Sequence, residues 1–140
     1  MYRRIIVAVD NSSTDDRLVL TASELAALTG GSVRVLHVDP SDVVYDTVVG
    51  MEDDTTAHKA LDDAVATVRQ HGIAADGELV DGLLSDVAGT IADAARRYDA
   101  DLIVLGPHPR TRLGAWFSPR ITDAVVHATQ IAVLLIPGKQ

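Results

Sequence analysis

Five short apolar runs, spaced along the whole chain and separated by helical patterns, constrain the fold more than any other feature. They comprise residues 5–10 (IIVAVD), 33–39 (VRVLHVD), 77–80 (GELV), 101–106 (DLIVLG) and 131–137 (IAVLLIP). Runs of Val, Ile and Leu that are nearly continuous are typical of parallel strands buried on both faces. The chain therefore reads as β-α-β-α-β-α-β-α-β.

Four helices are predicted between these strands. The first covers residues 15–28 and ends at Gly30-Gly31, a left-handed stop. The second covers residues 54–70, and its inward face repeats every three to four residues at Ala57, Leu61, Ala64 and Val68. The third begins at a cap on Ser85 and buries Val87, Ile91 and Ala94 or Ala95. The fourth runs from about Pro119 to His127 and turns Ile121 and Val125 inward.

This order predicts a single α/β domain over residues 1–140, a three-layer sandwich around a five-stranded parallel, doubly wound sheet with right-handed crossovers. Ligands of such sheets bind beyond the carboxyl ends of the strands, where the strand order reverses. Asp10, Asp39 and Gly106 each end a strand at that edge. The long connection, residues 40–52, flanks this site or shields a sheet edge.

Residues 106–121 (GPHPRTRLGAWFSPRI) hold three prolines and three arginines in a chain of net charge -8. From residue 102 onward the chain has four basic residues and only one acidic residue, Asp123. The loop is therefore expected to be the one cationic place on an acidic protein and the best place for a bound anion. The alternative, exposed arginines that only keep the loop soluble, stays open.

Several classes of function lack their sequence patterns. Neither a Walker A motif nor the glycine fingerprint of dinucleotide-binding folds follows any strand, and no histidines have metal-ligand spacing. Ser118 lacks the GxSxG context of a hydrolase nucleophile, and the chain has no cysteine. We expect no catalysis and no metal. With no apolar run of membrane length and no cleavage-site pattern, we also expect a cytoplasmic protein without membrane or nucleic-acid partners.

Four segments in order carry a family resemblance: VAVDNSS, VLHVD, DLIVLG and the closing TDAVVHATQIAVLLIP. Over essentially the whole chain they resemble the universal stress protein family. The resemblance implies a Rossmann-like fold of the adenine nucleotide alpha hydrolase type and a role in stress survival. It also implies a homodimer that pairs the last strands, with Ile131, Val133 and Leu135 as candidate interface residues.

ATP-binding members of that family carry G-x2-G-x9-G-[S/T] after strand four. Laid on this chain without a gap, the pattern falls on Gly106, Pro109, Pro119 and Arg120, so only the first glycine is kept. Proline has no N–H to offer a phosphate and cannot adopt positive φ. Arg120 either donates a two-pronged hydrogen bond to a phosphate or occupies the space in which the phosphate would bind.

At the positions that the family uses to bind the nucleoside, this chain has residues of the same type. They are Asp10 after strand one and Val38 at the end of strand two, where the resemblance implies that a backbone group faces adenine. Ala8 and Gly106 fit a close approach. Our leading hypothesis is a non-catalytic stress protein that acts as a dimer through partners or a small ligand, without ATP binding of the usual kind. The alternative is a sensor of ATP, AMP or a cyclic nucleotide with a remodelled phosphate loop, whose candidate residues include Arg110, Arg112, Arg120 and Ile121.

Overall fold

A computed structural model describes residues 1–9, 15–44, 47–50, 54–83, 86–106 and 119–137. The strands are β1 (Arg4–Val9), β2 (Ser32–Val44), β3 (Thr47–Gly50), β4 (Ala75–Leu83), β5 (Leu102–Leu105) and β6 (Ala132–Leu135). The helices are α1 (Asp15–Thr29), α2 (Asp54–Gln70), α3 (Val87–Tyr98) and α4 (Pro119–Ala128). The α/β alternation predicted from the apolar runs is confirmed.

Five strands form the predicted parallel sheet, in the order β4-β2-β1-β5-β6. The central strand β1 pairs with β2 on one side and β5 on the other, so the chain winds outward in both directions from its first strand. The strand order therefore reverses beside β1, which places the expected ligand crevice there.

The long connection after β2 is partly a strand, which the sequence pattern did not predict. β2 continues to Val44, and its last four residues pair with β3 in an antiparallel hairpin. At Ser41, β2 pairs with Gly50 of β3 and Leu83 of β4 at once, so these two strands lie on opposite sides of β2. β3 therefore lies on the β1 side of β2, just beyond the carboxyl end of β1, and borders the expected crevice.

Side chains of the sheet alternate between two apolar clusters, one on each face. In β1, Ile6 and Ala8 pack with α3 and α4, whereas Ile5, Val7 and Val9 pack with α1 and α2. The inward residues of α2 behave as predicted, since Ala57, Leu61 and Val68 are buried and Ala64 is half-buried. Because the strands carry apolar side chains on both faces of the sheet, helices must cover both faces, and the result is a three-layer sandwich.

The end of α1 and the start of α3 are set by Gly30, Gly31 and Asp86. Gly30 has φ +72° and ends α1 in the left-handed conformation, whereas Gly31 is required by space, because a Cβ there would lie 2.8 Å from the carbonyl oxygen of Arg3. The predicted cap on Ser85 is wrong by one residue. The N-cap of α3 is Asp86, whose carboxylate accepts from the N–H of Gly89 at 3.2 Å. Serine and aspartate are comparably good N-cap residues, so the sequence Ser85-Asp86 does not by itself determine which of the two caps the helix.

At the amino ends of the strands, Tyr98 ties the end of α3 to β1 and β2. The guanidinium carbons of Arg4 and Arg34 lie 4.0 and 4.5 Å from its ring centroid. Its hydroxyl lies 2.9 Å from that of Ser32, and Nε of Arg4 donates to its carbonyl at 2.7 Å. One ring thus joins three elements that are distant in sequence.

Asp101 stabilises the start of β1 from the same edge. Its carboxylate accepts the backbone N–H groups of Arg3 and Arg4, each at 3.0 Å. Burial alone would raise the pKa of Asp101, but these backbone hydrogen bonds outweigh it and hold the pKa below its ordinary value. The carboxylate is therefore ionised at neutral pH and fixes where β1 enters the sheet.

Candidate functional site

The carboxyl edge of the sheet gathers the ends of the strands around the point where the strand order reverses. β1 ends at Val9, β5 at Leu105 and β6 at Leu135, while β2 continues past them to pair with β3. Among the described residues, the candidates Val38, Gly106, Pro119, Arg120 and Ile121 belong to the segments that meet there. Asp10, Pro109, Arg110 and Arg112 lie outside the described residues.

Val38 and Ile121 come from distant parts of the sequence and meet in one apolar cluster. The side chain of Val38 is fully buried with those of Ala8 and Leu105, and the half-buried Ile121 packs against the same cluster. The pairing of β1 with β2 ends at Val9 and His37, so Val38 is the first residue of β2 beyond it. This is where the resemblance places a backbone contact to adenine.

Gly106 is buried where three segments approach closely. A Cβ on it would lie 3.0 Å from both methyl carbons of Leu18 in α1 and 3.3 Å from the carbonyl oxygen of Ile136. The N–H of Ile136 donates to the carbonyl of Leu105 at 2.8 Å, which holds the chain after β6 against β5. The glycine therefore has a packing role in addition to any role toward a ligand.

Helix α4 begins at Pro119, one of the two proline positions of the loop pattern. The first N–H groups of a helix have no partner inside it and often bind anions, but proline brings none. Arg120 follows in the same first turn, and its side chain is exposed. This end of α4 thus lacks the N–H donor of its first residue, and the exposed guanidinium of Arg120 is the group beside it that can pair with a phosphate.

Among the described residues, three polar side chains near this edge are buried, and of these only Asp39 was expected at the edge. His37 and Asp39 are buried on the α1 and α2 face of β2, to which Val33 and Val35 also point, and Thr122 is buried in the first turn of α4. Burial of Thr122 could have been predicted, because it lies three residues before Val125 and therefore on the same, inward face of α4.

The expectation that residues 106–121 form the one cationic place stays a prediction, because residues 107–118 lie outside the described part of the chain. The amino edge of the sheet, at the opposite end from the candidate site, gathers Arg3, Arg4, Arg34, Arg69 and Arg97. Several of them are paired, as in the two-pronged contact of Arg34 with Asp76, whose hydrogen bonds are both 2.9 Å long. The sequence could not reveal this group because its members are spread over 95 positions that only the fold brings together.

No group of three His, Asp or Glu side chains among the described residues is arranged to hold a metal ion. No helix there is both long and apolar enough to cross a bilayer.

Comparisons with known proteins agree with this architecture. Residues 1–137 match the sequence model of the universal stress protein family. The chain is 28% identical to a universal stress protein A homolog of Haemophilus influenzae, over 98% of this chain and 97% of that protein.

Two solved structures extend the similarity. A protein of the universal stress protein family from Burkholderia pseudomallei superposes with a TM-score of 0.75 at 26% identity, covering 98% of this chain and 97% of that one. The universal stress protein from Archaeoglobus fulgidus in complex with dAMP gives a TM-score of 0.70 at 29% identity, covering 96% and 98%. The sheet order and the helices are those of the adenine nucleotide alpha hydrolase-like fold.

Proposed function

This chain belongs to the universal stress protein family, and from that premise we propose that it is a non-catalytic, dimeric stress-response protein that does not bind ATP in the family's usual mode. The observation that carries the proposal is the composition of the loop after β5. Pro109 and Pro119 stand at two glycine positions of the ATP pattern, and Arg120 stands at its hydroxyl position.

The chemical consequence is the loss of at least two backbone donors. Glycine N–H groups approach phosphate oxygens closely, because glycine has no side chain and tolerates positive φ. Proline lacks the donor and fixes φ near -65°. At Pro119 this loss falls on the first turn of α4, where an N–H would otherwise point out of the helix. A triphosphate thus loses contacts that Arg120 cannot replace in the same pose.

The absence of catalysis belongs to the same proposal. The sequence supplies no placed general base beyond Asp10, and the retained residues serve contact with a nucleoside rather than attack on a phosphate. We therefore expect the protein to act by binding protein partners or by binding a small ligand.

The proposed dimer uses the last strand. In the described sheet β6 is an outer strand that pairs only with β5, so its other edge is available for pairing. Ile131 and Val133 are half-buried against the core, whereas the side chain of Leu135 is 42% exposed. Pairing two copies of β6 across a two-fold axis would satisfy the open edge and cover Leu135.

A second candidate is an adenine nucleotide sensor that needs fewer phosphate contacts. The dAMP complex of the Archaeoglobus fulgidus relative favours it, because a monophosphate asks less of the loop than a triphosphate. Val38 and Gly106 keep positions of the nucleoside half, and the exposed side chain of Arg120 is free to extend toward one phosphate. This candidate function also takes the protein to be cytoplasmic, so that it has access to the cell's nucleotides.

Calorimetric titrations of the purified protein with Mg-ATP and with dAMP separate the two candidates. We expect no micromolar binding of Mg-ATP. If the sensor candidate holds, dAMP binds and Arg120→Ala weakens it by about tenfold or more, since a hydrogen bond to a charged group contributes about 1.5–3 kcal/mol. Micromolar Mg-ATP binding at one site per chain would reject the leading proposal, and unchanged dAMP affinity in Arg120→Ala would remove that arginine from the second.

A further inference from the structure

Strand β6 is apolar at every position, yet none of its side chains is buried. The neighbouring strand β5 has a similar sequence, LIVL against AVLL, and all four of its side chains are buried. The two strands differ in their surroundings, because β5 has a strand on both sides, whereas β6 pairs only with β5 among the described strands. Exposed apolar surface beside an open strand edge is typical of a site that another molecule covers.

Helix α4 adds a further exposed apolar side chain. Thr122 and Val125 are buried against the sheet, so they mark the inward side of α4. Ile121 lies on one flank of that side and packs toward the core cluster that contains Val38. Val126 follows Ile121 by five residues, about 140° further round the helix, and therefore lies on the opposite flank. Its side chain is 45% exposed.

The flank of α4 that carries Val126 faces the open edge of β6. Helix α3 packs against β1, β2 and α4. Because α4 connects β5 to the outer strand β6 in a right-handed crossover, it lies farther toward that edge than α3 does. Ile121 is turned toward the core, so Val126 is turned away from α3 and toward the edge.

The front of β6 continues this surface. Val133 packs on the face of the sheet that α3 and α4 cover, and Leu135 points to the same face because side chains alternate along a strand. Leu135 is exposed, and Val133 is half-buried. Val126, Val133 and Leu135 thus form one apolar edge surface, built from a helix and a strand.

We propose that a second copy of this chain covers the apolar edge surface, so that the dimer interface contains the Val126 flank of α4 as well as β6. This inference rests on the proposed dimer and extends it from one layer of the molecule to two. The second copy is favoured over another partner because the surface is continuous with the open edge of β6, which pairing with a second β6 would satisfy.

The symmetry of such a pair brings the two helices together. Two antiparallel edge strands are related by a two-fold axis perpendicular to the sheet, which leaves the same face of each sheet on the same side. Helix α4 of each copy then lies above the paired strands, and the two Val126 flanks face each other. His127 and Asp123 lie on the side of α4 remote from the sheet, with side chains 74% and 75% exposed, and remain in water.

The test is sedimentation velocity of the full chain over a concentration series, with variants of α4. Val126→Asp should weaken the dimer by about tenfold or more, because it places a charge in an apolar contact on both copies. Ala124→Asp is the matched control, since Ala124 is exposed on the same helix but lies about 160° from Val126. The dimer Kd of this control should stay within about twofold of the wild type.

Val126→Ala is a second variant, which shortens the side chain without adding a charge and should weaken the dimer by about threefold or more. A wild type that sediments only as a monomer would overturn both the proposed dimer and this inference. Dissociation by Leu135→Asp, with the Kd unchanged in both variants of Val126, would leave pairing through β6 in place and overturn the role of α4. Equal weakening by Ala124→Asp and Val126→Asp would also overturn it.

Discussion

Replacing Tyr98 with alanine is expected to lower the free energy of unfolding by about 3–5 kcal/mol, the cost of removing a buried aromatic ring. The ring is 5% exposed in the core cluster of α3 and α4, and its removal leaves a cavity between α3 and the sheet. It also removes the aromatic face beneath the guanidinium groups of Arg4 and Arg34. Urea denaturation followed by circular dichroism measures the change.

Tyr98→Phe is the matched control for this variant. It keeps the ring and both guanidinium contacts, and removes only the hydroxyl that lies 2.9 Å from Ser32. The expected cost is about 1 kcal/mol, the net contribution of one hydrogen bond. Equal stability of Tyr98→Ala and Tyr98→Phe would contradict the role given to the ring.

Leu135→Asp is expected to convert the proposed dimer to a monomer at micromolar concentration. The substitution removes an exposed apolar side chain from β6 and places two like charges near the two-fold axis. Like charges brought together in an interface cost several kcal/mol, so the dimer should weaken by about a hundredfold or more. Sedimentation velocity over a concentration series measures the shift.

Leu83→Asp is the control, because Leu83 is 45% exposed, nearly the same as Leu135 at 42%. It lies on β4, at the opposite edge of the parallel sheet from β6, so this variant should remain a dimer. A wild-type protein that sediments only as a monomer would reject the dimer outright, and dissociation of both variants alike would point away from β6 as the interface.

Much of the fold could be predicted because its signals are local. The bounds of α2 agree with the prediction at both ends, since its apolar residues repeat at helical spacing. Strands β1, β5 and β6 are short apolar runs of four to six residues, too short for a typical helix. Strand β3 could not be predicted in this way, because TVVG gains its partner only when the chain after β2 turns back.

The candidate site was predicted less completely, for a different reason. The resemblance gave Val38 as a nucleoside position, Ile121 was included among the candidate residues, and the fold places both at one cluster. The grouping of arginines around Tyr98 has no sequence signature, because Arg4, Arg34 and Arg97 become neighbours only through strand pairing and helix packing. A charge count along the chain therefore found the loop arginines and missed those at the amino edge.

We propose that Pro109, Pro119 and Arg120 remove the phosphate contacts by which the family binds ATP, while the rest of the scaffold remains. The most direct test of this proposal is calorimetric titration of Mg-ATP into the wild type and into the triple variant Pro109→Gly, Pro119→Gly, Arg120→Ser, which restores the loop pattern. We expect the triple variant to bind Mg-ATP at least about tenfold more tightly than the wild type, a gain of about 1.4 kcal/mol or more from the restored donors. Micromolar binding by the wild type that the triple variant does not improve would contradict the claim.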